Sequence, residues 1–345
     1  MREQERMTAI SKRKIDHQHT DALLSKMPPS ILEGMEQFNA EYYHALESIS
    51  PTLTKAIELL KQTGGKQIRP LLLLLTGSAF GQLTEQLING AIFIEMFHLS
   101  TLIHDDVVDE SQMRRGKPSL NALFGNRKAV LIGDYVLAVA MTKAMLTNHQ
   151  QIVASLAELG KELSEGEIMQ MDVAELGTYS EEQYYRIIQR KTASLIRSSM
   201  RIGATLAGVT DGDLLDKIGR AALLLGEAFQ IRDDIFDYLP TKQLGKPSGQ
   251  DLLEHKITLP LIYALEKGGG EAEKIKKLLR HELLKPSEVA YITQYAVRAG
   301  GVQYAEGVML QKVEQAKQLL LEAIPEGECL EGLLAIADYI IERNK

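Results

Sequence analysis

Cysteine is nearly absent: Cys329 is the only one in 345 residues, which excludes a disulfide framework and any multi-cysteine zinc or iron–sulfur site. A reducing compartment is compatible with that. No basic run with interleaved aromatics occurs and the formal net charge is -7, which argues against a nucleic-acid surface. No apolar run approaches the roughly 18 residues of a membrane span. The N-terminus mixes Arg2, Glu3, Glu5, Arg6, Lys12, Arg13 and Lys14 without an apolar core, unlike a secretory signal or an acid-poor transit peptide. A soluble, cytoplasmic chain with no transmembrane segment is expected.

Proline is missing from the whole stretch between Pro118 and Pro240. Because proline removes a backbone donor and breaks helices, that gap, with apolar residues recurring at three and four, predicts a succession of long helices. Segments that alternate like strands are also lacking. One helix is expected from Ser30 (Ile31, Met35, Phe38, Tyr42) and another after Pro51 (Leu53, Ile57, Leu60), ended by Gly64 and Gly65. The run Leu71 to Leu75 reads as a helix buried on all sides. Breaks are expected at 77–81, 116–118, 147–151, 177–180, 208–212 and 240–249. With no linker dividing the middle, the expected fold is all-α, a single large helical bundle around a central active-site cavity. It spans 29–345 after a flexible polar tail, 1–28.

What the chain does have is acid in two matched clusters. In LIHDDVVDESQMRRG, Asp105 and Asp109 share one helix face with Asp106 beside them. Like charges this close repel unless a cation intervenes, and hard divalent ions, above all Mg2+, prefer oxygen ligands. A solvated acidic face would explain one such cluster equally well. The second, QIRDDIFD, repeats the spacing at Asp233, Asp234 and Asp237 inside apolar sequence, where unpaired charge is costly. That repetition favours a metal site.

Cations match the acids. Lys66 and Arg69 lie three apart at a helix start, a position that favours anions. Arg114 and Arg115 directly follow the first cluster, and two adjacent guanidiniums suit bidentate diphosphate recognition. Lys191 with Thr192, then Lys246 and Lys256, complete the supply. His98, seven residues before Asp105, returns to nearly the same angular position two turns away.

From about residue 40 onward these residues resemble the trans-polyprenyl diphosphate synthase family. GGKxxRP, DDxxD-x4-RRG, GEIMQ, KT, FQxxDDxxD and GKPxGxD occur here in the family's order. The resemblance implies an all-helical homodimer whose two aspartate motifs face each other across a cavity and hold about three Mg2+ on an allylic diphosphate. It implies a prenyltransferase that condenses isopentenyl diphosphate with that allylic partner. Asp105, Asp106, Asp109, Asp233, Asp234 and Asp237 would be the metal ligands. Lys66, Arg69, His98 and Arg115 would form the isopentenyl diphosphate pocket. Arg114, Lys191, Thr192, Gln230, Lys246 and Lys256 would form the allylic pocket, and Gln170 matches the glutamine of GEIMQ. Asp105, Asp106, Lys191, Asp233 and Asp234 would carry the catalysis.

Product length in the family depends on bulk beneath the first motif. Here Ser100 and Thr101 stand where short-chain enzymes usually carry an aromatic, and only two residues separate Asp106 from Asp109, unlike the typical bacterial farnesyl enzyme. A long-chain product is therefore expected, with a farnesyl or geranylgeranyl enzyme or one subunit of a heteromeric synthase as alternatives. Leu137 and Met141 are candidates for the pocket floor, against an ordinary core role.

Overall fold

The computed structural model describes residues 22–62, 65–239, 249–281 and 283–343. The chain runs through helices α1 (Pro29–Ala45), α2 (Pro51–Gln62), α3 (Ile68–Phe80), α4 (Glu85–Val108), α5 (Leu120–Phe124), α6 (Asn126–Leu146), α7 (Gln150–Leu176) and α8 (Glu181–Ile188). A π-helical turn, Gln189–Ala193, leads into α9 (Ser194–Leu206). There follow α10 (Gly212–Asp237), α11 (Gln250–Leu253), α12 (Leu259–Glu266), α13 (Gly270–Leu278), α14 (Pro286–Arg298), α15 (Gly301–Ala323) and α16 (Glu328–Glu342). The all-helical expectation holds.

One small ribbon departs from it. β1 (Met113–Arg114) pairs antiparallel with β2 (Lys117–Pro118). Arg115 and Gly116, the two residues between, have φ of 52° and 76°, the left-handed pair of a tight hairpin turn. Glycine suits that conformation; Arg115 is held in it by its neighbours.

Leu71 to Leu75 are fully buried because α3 has neighbours on every side: α1, α4, α9 and α16 all pack on it. The α3–α9 crossing is a glycine contact. A Cβ on Gly203 would lie 2.3 Å from the Leu73 carbonyl oxygen, and one on Gly77 would meet Leu87. α3 ends at Phe80 with Gly81 as its C-cap, inside the break expected at 77–81; Gly77 itself stays helical and serves close approach, not termination. α4 lies along α6, and α10 along α15 and α9; Lys256, near Asp109 at the end of α4 and in one cavity lining with Asp234 of α10, links the two helix ends.

One expectation needs correction. Within the stretch read as a tail, Leu23 and Met27 are buried in the core, with the Met27 sulfur near Gly332 of α16; residues 1–21 lie outside the described residues. Among the described residues two helices, α4 and α6, pass a length-and-composition test for crossing a membrane, a test that core helices of a bundle also pass. α4 is a core helix of the bundle, whereas α6 leaves Leu131 and Met145 exposed at 66% each.

Candidate active site

Both aspartate clusters end long helices, α4 and α10, and neither helix has a basic residue in its last turn. The helix dipole places partial negative charge there, so carboxylates at these ends need cations from elsewhere. The fold supplies them from distant parts of the chain.

At the end of α4, buried Asp106 accepts from Arg114 Nε at 2.9 Å and from its terminal nitrogen at 2.5 Å. Asp109 faces Lys256 Nζ at 3.6 Å. The Asp105 carboxyl is pushed up to about 6, first by burial and then by the Glu167 carboxylate, with Lys191 opposing. At the end of α10, Asp234 accepts from Tyr184 Oη at 2.6 Å and from Gln230 Nε2 at 2.8 Å, and Gln230 in turn accepts from Thr192 at 2.7 Å. Asp237 accepts from the backbone N–H groups of Gly249 and Gln250 at 2.9 Å and Asp251 at 3.1 Å. Asp233 pairs with Arg343 at 2.8 Å. Burial raises the pKa of Asp234, Asp237 and Asp251, and neighbouring carboxylates push each further up.

The π-turn presents Lys191 and Thr192, as such inserted turns often do at functional sites. It lies so close to α10 that a Cβ on Gly226 would be 2.5 Å from the Ala193 Cα. Next to that glycine, Glu227, 2% exposed, accepts from Gln189 Nε2 and from Lys312 Nζ, both at 2.6 Å. Lys191 itself reaches Glu167 at 2.5 Å and Gln170 at 3.1 Å.

Two cavities flank this machinery and share no lining residue. The first, about 120 Å³, includes Gly65, Glu95, His98, Asp106, Arg114 and Arg115. Among the described residues His98 Nδ1 and Glu95 Oε2, buried there, have no hydrogen-bond partner, nor has the nearby Arg69 Nε. Burial and the positive charge of Arg69, Arg115 and Arg114 hold the His98 pKa well below its ordinary value, so the imidazole is neutral. The second cavity, about 210 Å³, includes Gln170, Tyr184, Lys191, Thr192, Gln230, Asp234 and Lys256. The guanidiniums of Arg114 and Arg115 in one cavity and crowded acid at the mouth of the other mark sites that suit anions and cations respectively.

The structure thus brings His98 and Arg115 together in the first cavity, and Lys191, Thr192, Gln230, Gln170 and Lys256 in the second. Lys66 lies with its ammonium 5.5 Å from the Tyr339 ring. Arg114, expected in the second set, lines the first cavity instead, because the ribbon turn carries both arginines to one side and Asp106 anchors Arg114 there. Lys246 lies outside the described residues. Ser100 is buried with its hydroxyl on the Phe97 carbonyl, and Thr101 bonds the His98 carbonyl. Leu137 packs against the core, but Met141 is 44% exposed and forms no floor.

Among the described residues no three His, Cys, Asp or Glu side chains already converge as a metal cluster, since Asp106, Asp233 and Asp237 are held by protein groups. The donor set is nonetheless all hard carboxylate oxygen, with the charge of Asp105, Asp234 and Asp237 opposed by burial and by other acids, and it fits a hard divalent cation.

Sequence reasoning missed Glu95, Tyr184, Glu227 and Arg343. Glu95 had a signal, one turn before His98 on the same face. Arg343 had none: it stands beyond the last helix, yet its guanidinium is 3.7 Å from the Phe229 ring and donates to the Phe229 carbonyl at 2.7 Å.

Comparison with known proteins agrees with this geometry. Residues 50–296 match the family model described as polyprenyl synthetase. The chain is 35% identical to the short chain isoprenyl diphosphate synthase of Methanothermobacter thermautotrophicus, over 87% of this chain and 93% of that one. It is 33% identical to the octaprenyl diphosphate synthase of Haemophilus influenzae, over 90% and 94%. Among solved structures it is similar to the polyprenyl synthase from Caulobacter crescentus CB15 complexed with calcium and isoprenyl diphosphate. There the TM-score is 0.86 at 29% identity, covering 94% of this chain and 98% of that one.

Proposed function

The chain belongs to the polyprenyl synthetase family, and on that premise we propose that it condenses isopentenyl diphosphate with an allylic diphosphate, head to tail and trans, into a long-chain polyprenyl diphosphate. The observation that carries this is a pair of cation-lined cavities on either side of one aspartate-bearing helix end. One suits a diphosphate bound directly by side chains; the other suits a diphosphate held through carboxylates and metal.

In the first cavity Arg115 and neutral His98, with Lys66 and Arg69, hold isopentenyl diphosphate. In the second, Lys191, Thr192, Gln230 and Lys256 surround the allylic diphosphate. About three Mg2+ held by Asp105, Asp106, Asp109, Asp233, Asp234 and Asp237 would supply positive charge against the departing diphosphate. As its C–O bond breaks, Lys191 and Lys256 oppose the charge growing on the leaving oxygen. The isopentenyl double bond attacks the allylic carbon, and the proton then lost passes to the released diphosphate. The purified chain incubated with isopentenyl diphosphate, farnesyl diphosphate and Mg2+ tests this. Turnover with products longer than C20 is expected; no turnover alone but turnover with an added partner chain would make it a subunit of a heteromeric synthase.

One observation favours a shorter product. Phe97, Thr101 and Asp105 follow at four-residue steps along α4, so the Phe97 ring stands about 12 Å below the aspartate on the same face. A Cβ on Gly160 of α7 would lie 3.9 Å from that ring. If Phe97 is the floor, products stop near C15 to C20 in the same incubation.

The assembly is a homodimer in this reading. α6 is apolar along its length yet only a third of its most apolar window is buried. Leu131, Met141 and Met145, with Val153 and Ile168 of the adjoining α7, form an exposed apolar face that a second copy would cover. A cytoplasmic location is proposed with it.

A further inference from the structure

The mouth that suits an anion also holds an acid. Glu95 lines the first cavity together with Gly65, His98 and Arg115. It stands one turn before His98 on α4, so both side chains leave the helix on the same face. Asp106, in the same lining, has Arg114 on its carboxylate. Glu95 Oε2 is sealed from solvent and, among the described residues, has no such donor. Burial pushes the Glu95 carboxyl up, against the pull of Arg69 and then of Arg115. The attraction is mutual: burial pushes both guanidiniums down, and Glu95 is the first charge that opposes this at each.

A carboxylate has the wrong sign for contact with a diphosphate, and the reaction gives it nothing to do. Two partly buried guanidiniums, however, need a counter-charge whenever no anion is bound. We propose that Glu95 is the internal counter-anion of Arg69 and Arg115: it stabilises the empty mouth and, by repelling a bound diphosphate, limits how tightly the mouth holds one. The inference rests on the assignment of that mouth to isopentenyl diphosphate. A mouth refilled for every isopentenyl unit added gains nothing in kcat from tighter holding, because uniform binding lowers KM alone. Glu95 touches no reacting atom in this account and acts through the two arginines.

The test uses the full chain in EDTA, where the carboxylate-lined site lacks its counterions, titrated calorimetrically with isopentenyl diphosphate. Glu95→Gln removes the charge and keeps the shape, Glu95→Met removes the polar atoms as well, and Glu95→Asp keeps the charge. The glutamine and methionine variants should bind isopentenyl diphosphate about three- to tenfold tighter than wild type, and the aspartate variant within about twofold of it. Without ligand the two uncharged variants should melt several degrees lower, and isopentenyl diphosphate should raise their melting temperatures by more than it raises that of wild type. With Mg2+ and farnesyl diphosphate, the KM for isopentenyl diphosphate should fall at unchanged kcat. A merely structural glutamate, or one that aims the guanidiniums, would leave weaker binding when removed, so unchanged or weaker binding in both uncharged variants overturns the proposal. Should neither fold alone, refolding in inorganic phosphate should rescue them, since that anion can take the place of the carboxylate; failure of both in phosphate also overturns it. Wild type that binds no isopentenyl diphosphate refutes the assignment of the mouth, and the proposal with it.

Discussion

Replacing Glu227 with alanine probes how the π-turn is held in register. Its carboxylate joins the turn, through Gln189, to α15, through Lys312, with both contacts at 2.6 Å. Removing it leaves a buried amide and an ammonium without their acceptor. Breaking a fully buried pair costs about 3–5 kcal/mol. The Lys312 side chain keeps 17% exposure and its ammonium lies 4.4 Å from the Tyr185 ring, so a discounted loss of about 2–3 kcal/mol is expected. Urea unfolding should show it as a lower midpoint at unchanged slope. Glu227 also positions the turn that carries Lys191 and Thr192, so kcat should fall about tenfold or more, as for a lost transition-state contact. The KM for isopentenyl diphosphate, bound in the other cavity, should not move. Glu227→Gln, which retains an acceptor for Lys312, should recover most of the stability, and Lys312→Met added to the alanine variant should recover stability without kcat. An alanine variant within about 0.5 kcal/mol of wild type, or one whose only change is a raised KM for isopentenyl diphosphate, would refute the positioning role.

Gly203→Ala should lower the melting temperature by several degrees, a loss of about 2–3 kcal/mol, because its Cβ would lie 2.3 Å from a backbone oxygen that cannot rotate away; an unchanged melt would mean that α3 and α9 slide freely. Phe97→Ala should lengthen the products seen by chromatography while Ser100→Phe shortens them; no change in either removes that face of α4 from length control. For metal-free protein the sign of the pH dependence follows from Asp105. Its folded pKa, about 6, lies above its ordinary 3.8, so the folded state binds more protons and stability should fall as pH rises from about 4 to 7. Mg2+ with diphosphate should flatten that slope, which melts at several pH values with and without chelator will show. If the proposed dimer forms through α6, Leu131→Glu with Met145→Glu should convert it to monomer by light scattering; a dimer that persists places the interface elsewhere.

The helices were legible because their signals are local: the proline gap, the three-and-four periodicity and the leucine run of α3 each report on a few turns. The aspartates and Lys191 were legible because spacing and repetition survive in a linear chain. What escaped depends on contacts between distant segments. Arg343 meets Asp233 only because α16 packs beside α10. The break expected at 77–81 falls at Gly81, but sequence neighbours cannot reveal that Gly77 serves a close approach, with the Gly203 carbonyl across the gap. Arg114 was assigned by its place beside Arg115 in a motif, whereas a two-residue turn decides which cavity its side chain enters. Met141 escaped as well, because periodicity alone does not separate a core residue from an exposed apolar one.

The aspartates at the two helix ends already have internal company: Asp106 with Arg114, Asp109 with Lys256, Asp233 with Arg343, Asp234 with Tyr184 and Gln230, and Asp237 with backbone N–H groups. Loading the cleft is therefore an exchange of counterions rather than the neutralisation of bare acid. Two properties follow that a zinc finger, folded by its metal, does not have. Chelation should abolish turnover while leaving the helical bundle folded, and each cation displaced from its carboxylate is released where an incoming diphosphate needs one.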